Sequence, residues 1–195
     1  MPADLVFFRR KVLESFSSMS GLIIDLRNNT GGYDPIAVSI ANHFLTQRRL
    51  YEESFLKEGT DLHIIEVLES EPGRIHFAGN VIILTGPLTM GVAEGFARLL
   101  KKEEHINTLG SWNTAGSFSL PGGQIKLGHG YKFNYPVGGS MDSSHRIIIE
   151  TDHKGAGGVN PDIHIPPTRD IILQMQKGTD ILLHEAISHI QINKL

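Results

Sequence analysis

The 195 residues contain no cysteine. Disulfides, thiolate catalysis and cysteine-ligated zinc are thereby excluded, and the redox compartment is left undetermined. Charge of one sign is not concentrated anywhere: the formal net charge is -3 and no long run of either sign occurs. Nothing in this pattern suggests nucleic acid or an anionic membrane surface as a partner. No apolar stretch reaches membrane-spanning length. The opening residues, Met1-Pro-Ala-Asp-Leu-Val-Phe-Phe-Arg-Arg10, lack the basic-then-apolar order of a signal peptide. Internal repeats and low-complexity tracts are also missing. The ten histidines form no His-x-x-x-His pair at helical spacing, which argues against a metal site. His184 and His189 are five apart and read as solvent-facing.

What is present is an ordinary globular composition, 40% apolar and 20% charged, in a length that suits one domain with a real core. Leu5, Phe8, Val12 and Phe16 share a face and predict a helix over residues 3–19. Leu22–Leu26 is apolar apart from Asp25 and predicts a strand covered on both faces. Asn28–Gly32 is a turn by composition, and a helix follows over Ile36–Leu45. Leu50–Leu56 and Leu62–Leu68 read as strands, with Ser70–Gly73 as a turn. Val81–Leu84 is a second buried strand, Thr89–Lys102 is the clearest helix, and Ile106–Leu109 returns as a strand.

After Gly110 the texture becomes strand-rich. Strands are expected at Gly116–Leu127, Tyr131–Val137 and Ile147–Glu150, and a loop at Gly155–Pro167. One or two helices close the chain over residues 170–191. The pairs Gly122-Gly123 and Gly138-Gly139 read as hairpin turns, since no helix with a lysine follows either. Alternating strands and helices predict an α/β fold with covered strands, whose sites lie beyond the carboxyl ends of those strands. The two glycine turns, Thr30-Gly-Gly32 and Thr89-Met-Gly91, sit at such ends.

Two glycines after a buried strand let the backbone turn sharply and aim amides into a cleft. Such amides suit an oxyanion hole, although a plain tight turn explains Asn29–Gly32 taken alone. At Thr89–Glu94 the first helical turn places residue 91 at the positive end of the helix dipole, with Val92 supplying the next amide. A glycine there brings no hydroxyl. Glu94 suits a helix cap or a turn brace better than catalysis. Ser111, Ser117 and Ser119 lie in the loop facing this turn, and Trp112 either lines a cleft or packs inward.

Four segments in order, Gly21-Leu-Ile-Ile-Asp-Leu-Arg-Asn-Asn-Thr-Gly-Gly32, Thr89-Met-Gly-Val-Ala-Glu94, Leu109-Gly-Ser-Trp-Asn-Thr-Ala-Gly-Ser117 and Gly158-Val-Asn-Pro-Asp-Ile163, together resemble the tail-specific (C-terminal processing) serine peptidases. The resemblance implies an α/β fold with a crotonase- or ClpP-like core of stacked strand-strand-helix units. It places the nucleophile at Gly91, where the family has serine three residues before the glutamate, and the general-base lysine at Gly116. Both positions lack the family's residue. Gly31, Gly32 and Val92 correspond to the oxyanion amides, with Glu94 in support. In the tricorn-like branch a late glutamate acts with an upstream histidine, and Glu150 is similar to that glutamate. The interphotoreceptor retinoid-binding-protein branch resembles the Thr-x-Gly-Val-Ala-Glu pattern most closely.

The resemblance implies unfolded protein or peptide C-termini as partners, or a lipid-like ligand in a non-catalytic relative, and no cofactor. It also implies a periplasmic or extracellular location for the full-length protein. The abrupt start leads to the expectation that residues 1–195 are one core domain, with an upstream strand and further domains preceding Met1.

Overall fold

The computed structural model describes residues 13–149 and 157–192. In chain order its elements are β1 (Gly21–Asp25), α1 (Asp34–Ala41), β2 (Arg49–Glu58), β3 (Asp61–Ser70), β4 (Asn80–Leu84), α2 (Val92–Leu100), β5 (Ile106–Gly110), β6 (Ser119–Lys126), β7 (Lys132–Met141), β8 (Ile163–His164), α3 (Arg169–Gln176) and α4 (Ile181–Ile192). One sheet has the order β1-β4-β5-β8 and is parallel at every pairing. The other has the order β3-β2-β7-β6 and is antiparallel. The α/β expectation is met.

The parallel sheet is covered on both faces. On one side Leu182 and Ala186 of α4 pack with Ile82, Leu84 and Leu109. On the other, Val81 and Ile83 meet Val38 of α1 and Phe96, Leu99 and Leu100 of α2. Beyond those helices Tyr51 of β2 and Phe118, the residue before β6, complete the same cluster. Val81, Ile82, Ile83 and Leu84 are fully or almost fully buried. Burial at this depth contributes roughly 1.5–3 kcal/mol per large apolar side chain.

The first strand departs from its expectation. Gly21–Ile24 are only half-buried, whereas both faces were expected to be covered. The reason is position: β1 is an edge strand, and its Leu22 and Ile24 line an open trough instead of a closed interior. Other differences are local. Of the predicted helix at 3–19, residues 1–12 lie outside the described residues, and Leu13–Ser18 form a 3-10 helix. The helix α1 starts two residues early because Pro35 presets its first turn. It stops at Ala41, where tight turns at His43 and Phe44 take over.

Gly122-Gly123 lie inside β6 and Gly138-Gly139 inside β7, not in turns. A Cβ on Gly138 would collide with the Phe55 carbonyl, and one on Gly122 with the Tyr135 carbonyl. These glycines permit close strand approach. Ile147 makes a single bridge to Met141 instead of starting a strand, and Glu150 lies outside the described residues. Within the expected 155–167 loop, Ile163–His164 pair with β5. Asp162 fixes that register, accepting from Thr108 N and Oγ1 at 2.9 and 2.8 Å and pairing with Lys101 at 2.9 Å. Burial works to raise the Asp162 pKa, but these partners win and keep it below its ordinary value.

Arg27, two residues past β1, joins both ends of the chain. It pairs with Asp25 at 2.6 Å and with Asp180 at 2.7 Å. Asp180 also caps α4, accepting from Leu183 N at 3.1 Å. The Arg27 hydrogen bonds hold both carboxyls below the ordinary aspartate pKa. A depressed folded-state pKa stabilises above the unfolded value, near 3.9, and the gain fades as pH falls through the folded value. Asp180→Asn keeps a capping side chain and removes the charge. The expected outcome is a loss of about 0.5–1 kcal/mol in urea unfolding at neutral pH. That difference from the parent shrinks toward zero as the pH falls through the depressed folded-state pKa of Asp180.

Candidate functional site

Three turns meet at the carboxyl end of the parallel sheet, after β1, β4 and β5. The first is Asn28–Gly32. Asn29 closes it, accepting from Gly31 N through Oδ1 at 3.0 Å while its own carbonyl accepts from Met90 N at 2.9 Å. Gly31 has φ +117°, in the region that favours glycine. A Cβ there would stand 3.7 Å from Val92 N, so glycine leaves the approach to that amide open. The amide of Gly31 is therefore committed to Asn29, in contrast to the expectation that it faces a ligand oxygen. Among the described residues the amides of Gly32 and Val92 have no hydrogen-bond acceptor. Both residues line the same trough.

The second turn runs from Gly86 to Gly91. The buried Thr89 hydroxyl donates to Leu26 O at 2.8 Å and accepts from Gly86 N at 3.0 Å. This ties the end of β1 to the start of the β4–α2 turn. Gly91 follows with φ +55° and ψ -126°. A strand-to-helix turn with positive φ is the strained geometry that presents a nucleophile in elbow-type hydrolases. Here the elbow is intact and carries no side chain. Space is not the reason: a Cβ on Gly91 would find its nearest neighbours at 3.7–3.9 Å.

The third turn, Ser111–Phe118, is bound to the second through Glu94. This carboxylate has no solvent exposure. Its Oε1 accepts from Thr114 Oγ1 at 2.5 Å and Gly116 N at 2.7 Å. Its Oε2 accepts from Ser117 N at 2.9 Å and Gly91 N at 3.0 Å. Gly91 N also donates to Ser117 O at 2.9 Å, and Ala115 N to Thr89 O at 3.0 Å. The sequence reading of Glu94 as a brace is thus extended: it is half of a capping box and also the anchor of a second loop. Thr114 carries the connection onward, accepting from Val159 N at 2.7 Å. Gly158 has φ +75°, and a Cβ there would strike the Thr114 carbonyl.

The structure therefore brings Gly31, Gly32, Gly91, Val92, Glu94 and Gly116 together. Gly116 has φ +70°, a conformation that also disfavours any longer side chain. Thr89, Thr114 and Asn29 were not singled out from sequence. Each lies inside a quoted motif, and a hydroxyl or amide beside a glycine turn is the signal that would have found them. Trp112 is half-exposed beside the site, not packed inward. Beside the elbow lies a trough of about 740 Å³, lined by Leu22 and Ile24 of β1, Ile36 and Ile40 of α1, and Ala93 and Phe96 of α2. Among the described residues no histidine or lysine lines it. Among the described residues no group of three or more histidine, aspartate or glutamate side chains is placed to hold a metal. No helix among them is long and apolar enough to cross a membrane.

Three substitutions probe this arrangement. Glu94→Gln turns an amide NH₂ toward donors that are already pointing inward. We expect it to lose about 2–4 kcal/mol in urea unfolding. Gly91→Ser keeps the fold, since the space exists, but loses roughly 1–3 kcal/mol to the positive φ. Gly91→Ala is expected to lose the same amount, because the strain comes from the Cβ and not from the hydroxyl.

The sequence matches the profile of Peptidase family S41 over residues 8–165. No curated protein sequence matches it significantly. Among solved structures it is similar to a candidate peptidase from Parabacteroides merdae, with TM-score 0.69, 23% identity, and coverage of 91% of this chain and 54% of that one. It is similar to the photosystem II D1 C-terminal processing protease, with TM-score 0.60, 19% identity and coverage of 85% and 40%. It is also similar to mature CPAF, with TM-score 0.68, 15% identity and coverage of 88% and 44%. The chain thus spans about half the length of these structures, and at such identities the likeness speaks for the fold. The family match covers most of the 195 residues, and the chain belongs to Peptidase family S41.

Proposed function

We propose that this chain is a peptidase-type domain that holds an unfolded or C-terminal peptide segment at the elbow and does not cleave it through residue 91. The observation that carries this reading is the elbow itself: positive φ at Gly91 with a four-bonded Glu94 behind it, and no hydroxyl in front. On this reading Gly91 stands at the nucleophile position and Gly116 at the lysine position. A peptide carbonyl oxygen accepts from the Gly32 and Val92 amides, the donors that remain once Gly31 is bound to Asn29. The peptide backbone lies extended along the turns, as in strand addition to a sheet edge, and an apolar side chain enters the trough. Glu150 as a tricorn-like glutamate is part of the family resemblance alone. By the same resemblance the full-length protein works outside the cytoplasm.

A second reading rests on the trough. Its apolar walls along β1, α1 and α2 suit an acyl chain, with a carboxylate at the two free amides. The domain then carries a lipid-like ligand.

The test is a degradation assay with an unfolded protein substrate, run beside fluorescence anisotropy with a labelled unfolded peptide. The unmodified chain is expected to bind the peptide and release no fragments. Cleavage by the unmodified chain would sink the proposal. Native mass spectrometry separates the second reading. Co-purified fatty acid or retinoid, with a rise in melting temperature on adding more, supports the lipid ligand, and a clean apo mass with no such rise removes it.

A further inference from the structure

Beneath the three turns lies a polar pair with no part in the contacts above. Tyr51 of β2 is 1% exposed, and its hydroxyl donates to Asp34 Oδ1 at 2.9 Å. Asp34 opens α1 and follows Gly32 by two residues. The same hydroxyl lies 3.4 Å from Val92 O, in the first turn of α2. The Tyr51 ring sits edge-on to Phe118, centroids 5.9 Å apart. Phe118 directly follows Ser117, which bonds to Gly91 and Glu94. A Cβ on Gly95 would run into the Tyr51 hydroxyl and into Phe118 Cζ, so the α2 backbone rests directly on this ring. One buried side chain therefore touches the start of α1, just past the first turn, the first turn of α2, and the end of the third turn.

We propose that Tyr51 is a positioning residue. Its hydroxyl, held by Asp34, sets the distance between the Gly31–Gly32 turn and the first turn of α2, and so the spacing of the two amides offered to a bound peptide. This rests on the proposed peptide-holding function. The Glu94 network fixes the second turn to the third. Thr89 and the Met90–Asn29 backbone bond hold this side of the site from the β4–α2 turn, and Tyr51, bonded to Asp34 and packed under Val92 and Gly95, braces it from below. A hydroxyl is informative at this place. Phenylalanine would fill the same volume against Phe118 and Gly95, so apolar packing alone does not require the oxygen. Buried tyrosine hydroxyls find a partner, and here the partner opens the helix that follows the turn that needs placing.

The charged surroundings give the pair a pH signature. Asp34 is raised above the ordinary aspartate value by burial, against the Tyr51 bond, with the charge of Glu66 on β3 adding to the rise. Glu52 on β2 is raised by burial too, and the charges of Asp34 and Glu66 add to it. Arg98 on α2 faces Tyr51 and Glu52, with Asp142 also acting on it. A charged acceptor takes the Tyr51 hydrogen more strongly than a neutral one. Peptide affinity is therefore expected to fall as pH is lowered, and the fall begins above the range of ordinary aspartates.

The experiment uses the full 195-residue chain and a fluorescein-labelled unfolded peptide ending in Ala-Val-Leu. Tyr51→Phe is expected to weaken binding about tenfold and to flatten the pH profile. Asp34→Asn keeps an oxygen acceptor, so it is expected to stay within about threefold of the parent at pH 7 while losing the pH dependence. Amide NMR shifts of Gly32 and Val92 provide a reading without peptide, and both move in Tyr51→Phe. Unchanged shifts in a folded Tyr51→Phe would overturn the positioning role, as would parent-like affinity. Equal weakening in both variants with the pH profile intact would reduce Tyr51 to a structural residue. A parent chain that binds no peptide would overturn the proposed function instead, and the amide shifts would still decide the role of Tyr51.

Discussion

A single buried carboxylate organises the functional end of this molecule. Glu94 receives four hydrogen bonds from the elbow glycine and the third turn. Burying an anion is unfavourable unless it is fully paired, and full pairing here requires every donor to stand where it does. The constraint is directional, which an apolar contact is not. Moving Gly91, Thr114, Gly116 or Ser117 would leave a charge or an amide unsatisfied. Thr114 extends the constraint to Val159, and the neighbouring Asp162 pins β8 against β5. The late motif is thereby linked to the elbow through two threonines, Thr108 and Thr114, that bracket the end of β5.

The elements most visible in the sequence are those whose environment is uniform. Val81–Leu84 is an unbroken apolar run, buried along its whole length, and reads as a buried strand from composition alone. The amphipathic helix Val92–Leu100 is equally plain, and the four ordered motifs turn out to be parts of one site. What the sequence conceals depends on partners far along the chain. Arg27 and Asp180 are 153 residues apart, and neither spacing nor composition connects them. Tyr51 looks like one aromatic in a strand until Asp34 and Val92 are placed beside it. Paired glycines are ambiguous because the missing Cβ serves both turns and close strand contact. The pair at Gly138 reads as a turn but lies inside β7, where the Phe55 carbonyl occupies the space a side chain would need. The two-residue β8 is too short to leave any periodic trace.

Polar and apolar demands are segregated across the site. The turns and Glu94 form a rigid, hydrogen-bonded floor, whereas the wall toward β1 and α1 is aliphatic and half-open. A ligand therefore meets fixed donors at one end and a compliant surface at the other. Orientation would come from the amides, and tolerance of different side chains or chain lengths from the trough.

The backbone torsions at Gly91 and Gly116 also bear on ancestry. Both positions lie in the left-handed half of conformational space, and glycine is the residue that occupies it without strain. If the family resemblance holds at these two positions, an active relative must carry a serine and a lysine there and tolerate their strain in order to react. Drift to glycine at either position is then energetically downhill, while recovery is uphill twice over and useless unless both changes occur together. Such a fold behaves as a one-way ratchet: selection for stability alone would turn hydrolases into binding proteins, and the scaffold would persist with little pressure to return.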